Sequence, residues 1–160
     1  MKLFASVAAL VLSVSSALAA TGNNPITPQT PNNGKVHFTS SSTAGTYVTL
    51  YTSPNPGSGS VCTGIGATNN DTVAHVVTLQ VYNNSVAYGG AAASVAANSG
   101  FASGTNPVTL LNSTIWPWLP KDQFSNPVLI LVAGDTLQAT FATAITSGDA
   151  VNVYAICWDF

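Results

Sequence analysis

Charge is what this sequence has least of. Its 160 residues include no glutamate and no arginine, and only three lysines and five aspartates, so 5% of the side chains are charged and the formal net charge is −2. Phosphate binding needs clustered Lys or Arg to displace counterions, and Lys2, Lys35 and Lys121 are scattered; nucleic acid is not expected as a partner. Strong steering towards any charged partner is unexpected for the same reason. Without glutamate, a paired-carboxylate glycosidase would have to be built from aspartates alone. Asp71, Asp135, Asp149 and Asp159 each stand beside a turn, where Asp normally fixes backbone geometry.

Other chemical signatures are missing too. His37 and His75 lie in separate strand or turn contexts with no ligand set at zinc spacing. A calcium site would need several turn aspartates to converge. There is no Gly-x-Ser-x-Gly elbow, and Gly64-Ile65-Gly66 lacks the third glycine and following helix of a phosphate loop. The reading is of a non-enzymatic chain with no metal and no cofactor. Its surface is wetted by Ser, Thr and Asn instead of charge, so little repulsion keeps copies apart and self-association is physically easy.

The one long apolar run is at the start. Lys2 precedes Leu3 to Val14, and Ala17-Leu18-Ala19 sets small residues where signal peptidase cuts, which predicts a signal peptide over residues 1–19. A membrane anchor is the competing reading, but the run is shorter than the ~20 residues that span a bilayer. The chain is therefore expected to be secreted, periplasmic or at the cell surface, and off the membrane after cleavage. Residues 20–34 carry Pro25, Pro28 and Pro31 among Asn, Thr and Gln. They read as a flexible arm, either a spacer or a segment that packs on a neighbouring subunit. Residues 35–160 are the size of one domain.

That domain reads as short strands between breakers. Lys35–Thr39, Thr46–Thr52, Val61–Thr68, Ala74–Tyr82, a strand from Tyr88 towards Ala97, Thr136–Phe141 and Val151–Ile156 follow a period of two. Ser53 to Gly59, Asn69-Asn70-Asp71, Asn83-Asn84 and Gly134-Asp135 supply loop and turn chemistry. Thr146-Ser147-Gly148-Asp149 is expected to let the last two strands run antiparallel as neighbours. Helical periodicity is lacking. About eight strands at this spacing predict an all-β antiparallel sandwich, jelly-roll or immunoglobulin-like.

Cys62 and Cys157 are the only cysteines. In an exported protein such a pair usually bridges. By strict alternation, however, Cys62 faces away from Val61 and Ile65, so a bridge needs a bulge at Gly64 or Gly66; two buried free thiols are the alternative. Trp116 and Trp118 lie in a proline-broken connection beside Ile115 and Leu119. They plug the end of the sandwich, sit in a subunit interface, or stack on glycan with Tyr47 or Tyr51. Asn70, Asn83 and Asn112 head glycosylation sequons, which matter only in a eukaryotic source.

The run Asn69 to Leu79, Trp118-Leu119-Pro120 with Asp122, Ala133 to Gln138 and the terminal Trp158-Asp159-Phe160 resemble small tailed-phage virion proteins, decoration-like β-sandwiches that sit on capsids. The resemblance covers roughly residues 35–160 and rests on strand and turn patterns. It implies a virion-surface structural subunit, a homo-oligomer with a trimer favoured, and capsid proteins as partners. The leader and the cysteine pair depart from that pattern and point to a related domain at the cell surface. A secreted carbohydrate-binding or adhesion module is the alternative. Expressed with its leader in a Gram-negative host, the chain should be recovered from the periplasm starting at Ala20 by intact mass; a soluble cytosolic product retaining residues 1–19 would refute export.

Overall fold

The computed structural model describes residues 30–57, 59–100 and 105–160. The signal peptide over 1–19 and most of the arm over 20–34 lie outside the described residues. Nine strands are present among the described residues: β1 (Thr30–Thr39), β2 (Val48–Thr52), β3 (Ser60–Asn69), β4 (His75–Asn83), β5 (Val86–Val95), β6 (Val108–Thr109), β7 (Leu129–Leu131), β8 (Thr136–Phe141) and β9 (Ala150–Asp159). Alternation sets most of them. Val77, Leu79 and Val81 of β4 are almost fully buried, while Val76, Thr78 and Gln80 between them reach outward. Asn84 and Ser85 both take positive φ, 46° and 68°, which makes a tight hairpin between β4 and β5. β1 begins five residues earlier than the boundary expected at Lys35. Residues 30–34 already pair with β9, and Pro31 is tolerated because β1 is an edge strand.

The strands form two sheets, one ordered β1-β9-β3-β6 with β7 also on β3, the other β2-β8-β4-β5. The antiparallel pairs β1–β9, β2–β8, β3–β6 and β4–β5 are those of one long hairpin folded over on itself. That is the jelly-roll wrapping, and it decides between the two sandwich types expected. One expectation is corrected. β8 and β9 are not neighbours: the turn at Thr146–Asp149 carries the chain from one sheet to the other. Both strands are half-buried, and that pattern does not distinguish a hairpin from a crossing between sheets.

The inner faces meet in a single core. Phe38 and Phe141, from opposite sheets, touch with ring centroids 4.9 Å apart. Leu50 and Tyr51 are both buried because the β2–β8 register shifts between Thr49 and Tyr51. Val48 pairs with the inward-facing Ala139 but is 42% exposed, because β2 is an edge strand.

A second register shift solves the cysteine problem. Between Cys62 and Gly64 the pairing of β3 with β9 slips, so Cys62 and Ile65 both face the core although they are an odd number of positions apart. Val61, expected on the inner face with Ile65, points out instead. Cys62 stands directly opposite Cys157 and is bonded to it, with Cα atoms 3.9 Å apart. The cross-link spans 95 residues of sequence, which in the chain-entropy account is worth on the order of 4 kcal/mol. Replacing both cysteines with alanine should lower stability by about 2 to 5 kcal/mol in urea titrations. Full alkylation of both thiols in the native, unreduced protein would contradict the bond.

Candidate functional site

The polar side chains buried in this sandwich gather at its two ends. At one end, the β3–β4 turn is tied to the β8–β9 connection through Asp71 and His75, both fully buried. His75 Nε2 lies 3.0 Å from Asp71 Oδ2, and its Nδ1 is 2.9 Å from Thr143 Oγ1. Both ring nitrogens of His75 are thus engaged, one by a carboxylate and one by a hydroxyl. Asp71 also accepts the backbone N–H of Thr146 at 2.8 Å, the Thr146 hydroxyl at 2.9 Å and the Val73 N–H at 3.1 Å. The Thr146 N–H leads in holding the Asp71 carboxyl well below the usual range; burial opposes it, and His75, the Thr146 hydroxyl and the Val73 N–H add to it.

Hydroxyl, imidazole and carboxylate in this order are also the parts of a nucleophilic triad. Here Asp71 is occupied by four partners that join two loops, and the surface groove described below is not lined by any of the three. The cluster acts as a clamp. Sequence reading had placed Asp71 in a turn and left His75 without a role; their spacing of four residues was the available signal.

At the opposite end, Asp159 accepts hydrogen bonds from the Tyr51 hydroxyl, from Ser60 at 2.8 Å and from Asn32 at 3.2 Å. Burial pushes its carboxyl up, but those three bonds together carry it below the ordinary value. Burial, together with the same carboxylate, pushes the Tyr51 phenol up to about 12. Tyr51, one of the residues considered for glycan stacking, is thus an inward strut, 4% exposed. Nearby Asp135 receives the Tyr88 hydroxyl, the Asn83 amide and the Val132 N–H. The Tyr88 phenol is driven up by burial and by that carboxylate.

The tryptophan connection divides. Asn112 Oδ1 accepts the N–H groups of Thr114 and Ile115, each at 3.0 Å, and so winds a single turn that drives Trp116 inward. Trp116 is 1% exposed and donates its Nε1–H to the Leu110 carbonyl at 2.9 Å, so its ring belongs to its own core. Trp118 meets it edge-on at 5.5 Å and is 59% exposed, lying over Gly89 of β5. Further on, Asp122 gathers the N–H groups of Phe124 and Asn126, both at 2.8 Å, and holds up Phe124, 74% exposed, at the loop tip. All three sequon asparagines are engaged in the fold: Asn70 Oδ1 accepts the Ala150 N–H, Asn83 donates its amide to Asp135, and Asn112 donates its own to the Thr109 carbonyl.

The outer face of the first sheet carries a feature that sequence reading missed. Pro31, Trp158, Val61 and Ile130 stand side by side across β1, β9, β3 and β7. Ile156 lies in the adjacent row, packed over Gly64, where a side chain on residue 64 would meet it at 3.4 Å. Ile130 and Ile156 are 56% and 42% exposed. The signal was there in the alternation of Tyr154, Ile156 and Trp158. The bulge at Cys62 hid it by turning Val61 to the same side. On the outside of the second sheet, Tyr47 and the Gly89 to Ala92 stretch of β5 border a shallow groove of about 500 Å³. Among the described residues no cluster of three potential metal ligands occurs.

A carboxyl held low in the folded state stabilises the fold above its unfolded pKa, and the benefit fades as pH falls through the folded value. Asp71→Asn should therefore be less stable than the parent at neutral pH and lose less stability between about pH 5 and about pH 2. Urea midpoints across that range check this; an acid slope identical to the parent's would show that Asp71 does not carry it.

No family model matches the chain, and no curated protein matches it. Among solved structures, a chain of the cyanophage Pam1 capsid asymmetric unit is similar, with 17% sequence identity, a TM-score of 0.41 and coverage of 82% of this chain and 84% of that one. At that distance the likeness carries no argument about function.

Proposed function

We propose that this chain is a non-enzymatic structural protein, a subunit of a virion-surface or cell-surface assembly that acts by self-association and docking. The observation that supports it is the apolar row of Pro31, Trp158, Val61 and Ile130 on the outside of a sheet, in a chain with 5% charged residues. An apolar stripe on a solvent-facing sheet is unfavourable in a monomer and favourable once a second surface covers it. Asp71, His75 and Asp135, by contrast, are engaged in holding loops together, which is a structural use. The resemblance to tailed-phage virion proteins favours capsid proteins as partners and a trimer as the order of assembly.

A secreted carbohydrate-binding or adhesion module is the second reading, favoured by the exposure of Trp118 and Phe124 on one connection. Tyr47 alone of the two tyrosines considered remains available to it, and Trp116 does not.

Light scattering after size exclusion separates the two readings. The mature protein should be oligomeric, and Ile130→Lys with Ile156→Lys should lower the particle mass, because two desolvated ammonium groups in an interface cost several kcal/mol, roughly a hundredfold or more in affinity. For the glycan reading, Trp118→Ala should abolish retention on a polysaccharide column and leave the mass unchanged. A wild-type protein that is monomeric at high micromolar concentration would refute assembly.

A further inference from the structure

Every open sheet exposes unpaired backbone groups along its edge strands, and proteins usually blunt them with proline, lysine, short length or a bulge. Three of the edges here are blunted. β1 carries Pro31 and Lys35. β2 has five residues broken by a register shift. On the far side of β3, β6 has two residues and β7 three. The fourth edge, β5, is not.

Tyr88 is bulged out of the β4–β5 ladder, since Val81 pairs with Gly89 and Tyr82 with Ala87. From Gly89 to Val95 the register is unbroken, opposite His75 to Val81. This stretch, Gly-Gly-Ala-Ala-Ala-Ser-Val, contains no charge and no proline. Among the described residues, no backbone group outside β4 bonds to the main chain of Gly89 to Ser94. In an antiparallel ladder alternate residues turn their N–H and C=O to each side, so half of these groups are left facing away from the sheet.

We propose that β5 is a self-association edge, on which β5 of a second copy pairs antiparallel about a two-fold axis at Ala92. The proposal rests on the assembly reading above and names a surface for it. An antiparallel strand is its own complement, and Ala92 is the midpoint of the exposed stretch Gly90 to Ser94, so centring the pair there matches those five residues; Val95 beyond them is buried, with its carbonyl taken by the Asn69 amide. Outward-facing Gly90, Ala92 and Ser94 then meet one another, and side chains this small let the two strands approach without steric conflict. With no charged residue on β5, nothing on this edge repels its copy. The two four-stranded sheets become one continuous sheet, and the exposed Trp118, lying over Gly89, borders the seam. The pairing is two-fold, so a trimer formed through the Trp158–Ile130 row would be doubled to a hexamer.

The wild-type particle mass measured by light scattering should be an even multiple of the monomer mass. Ala92→Lys, which sets two ammonium groups across the axis, should halve it by weakening the pair roughly tenfold or more. Mixing Ala92→Lys with Ala92→Asp should restore the parent mass, a rescue that a folding defect could not give. Ser94→Lys serves as a second variant if Ala92→Lys fails to fold, as judged by circular dichroism. An odd-numbered assembly, or a mass unchanged in a folded Lys variant, would overturn the β5 pairing and leave the assembly reading standing. A monomeric wild type would overturn the assembly reading itself.

Discussion

The fold depends on the position of β9. It lies between β1 and β3, with ten residues in register on one side and nine on the other. Its inward side chains, Val151, Val153, Ala155 and Cys157, are all buried. Taking it away would leave β1 with no partner in its sheet and expose the core along its length. The Cys62–Cys157 bond fastens this strand to β3 at the end where Asp159 also gathers Tyr51, Ser60 and Asn32. Covalent, ladder and polar contacts thus converge on one short stretch.

The two ends of the sandwich are closed by different means that obey the same rule. Carboxylates are tolerated away from water where several donors surround them, and the buried Asp71 and Asp135 and the half-buried Asp159 each have at least three. In a chain so poor in cations, none of these partners is Lys or Arg. Amides, hydroxyls, backbone N–H groups and one histidine do the work that ion pairs perform elsewhere. Three of the five aspartates are used this way, which leaves few charges on the outside.

Strand positions were legible because period-two patterns such as Val77, Leu79 and Val81 need only local sequence. Partners were not: Thr136–Phe141 and Ala150–Asp159 look like a hairpin and belong to different sheets. Bulges were the other limit. The shift at Cys62 turns Val61 outward, and the one in β2 buries the neighbours Leu50 and Tyr51 together, which strict alternation excludes. A bulge leaves little trace beyond a glycine such as Gly64. The tryptophan pair could be recognised as important, but its division into a buried Trp116 and an exposed Trp118 follows from the turn capped by Asn112. The apolar row was the least legible feature, since its four members are drawn from four separate strands.

The order of strands along the chain also constrains when this sandwich is able to close. β1, first of the described strands, finds its only sheet partner in β9, the last. While the polypeptide is being made, β1 is therefore without its sheet partner until residues 150–159 arrive, whereas β3 can already pair with β6 and β7. The jelly-roll core cannot be completed from the amino-terminal half alone. Closure is late, and the same ten residues then supply both the central strand and one half of the covalent lock.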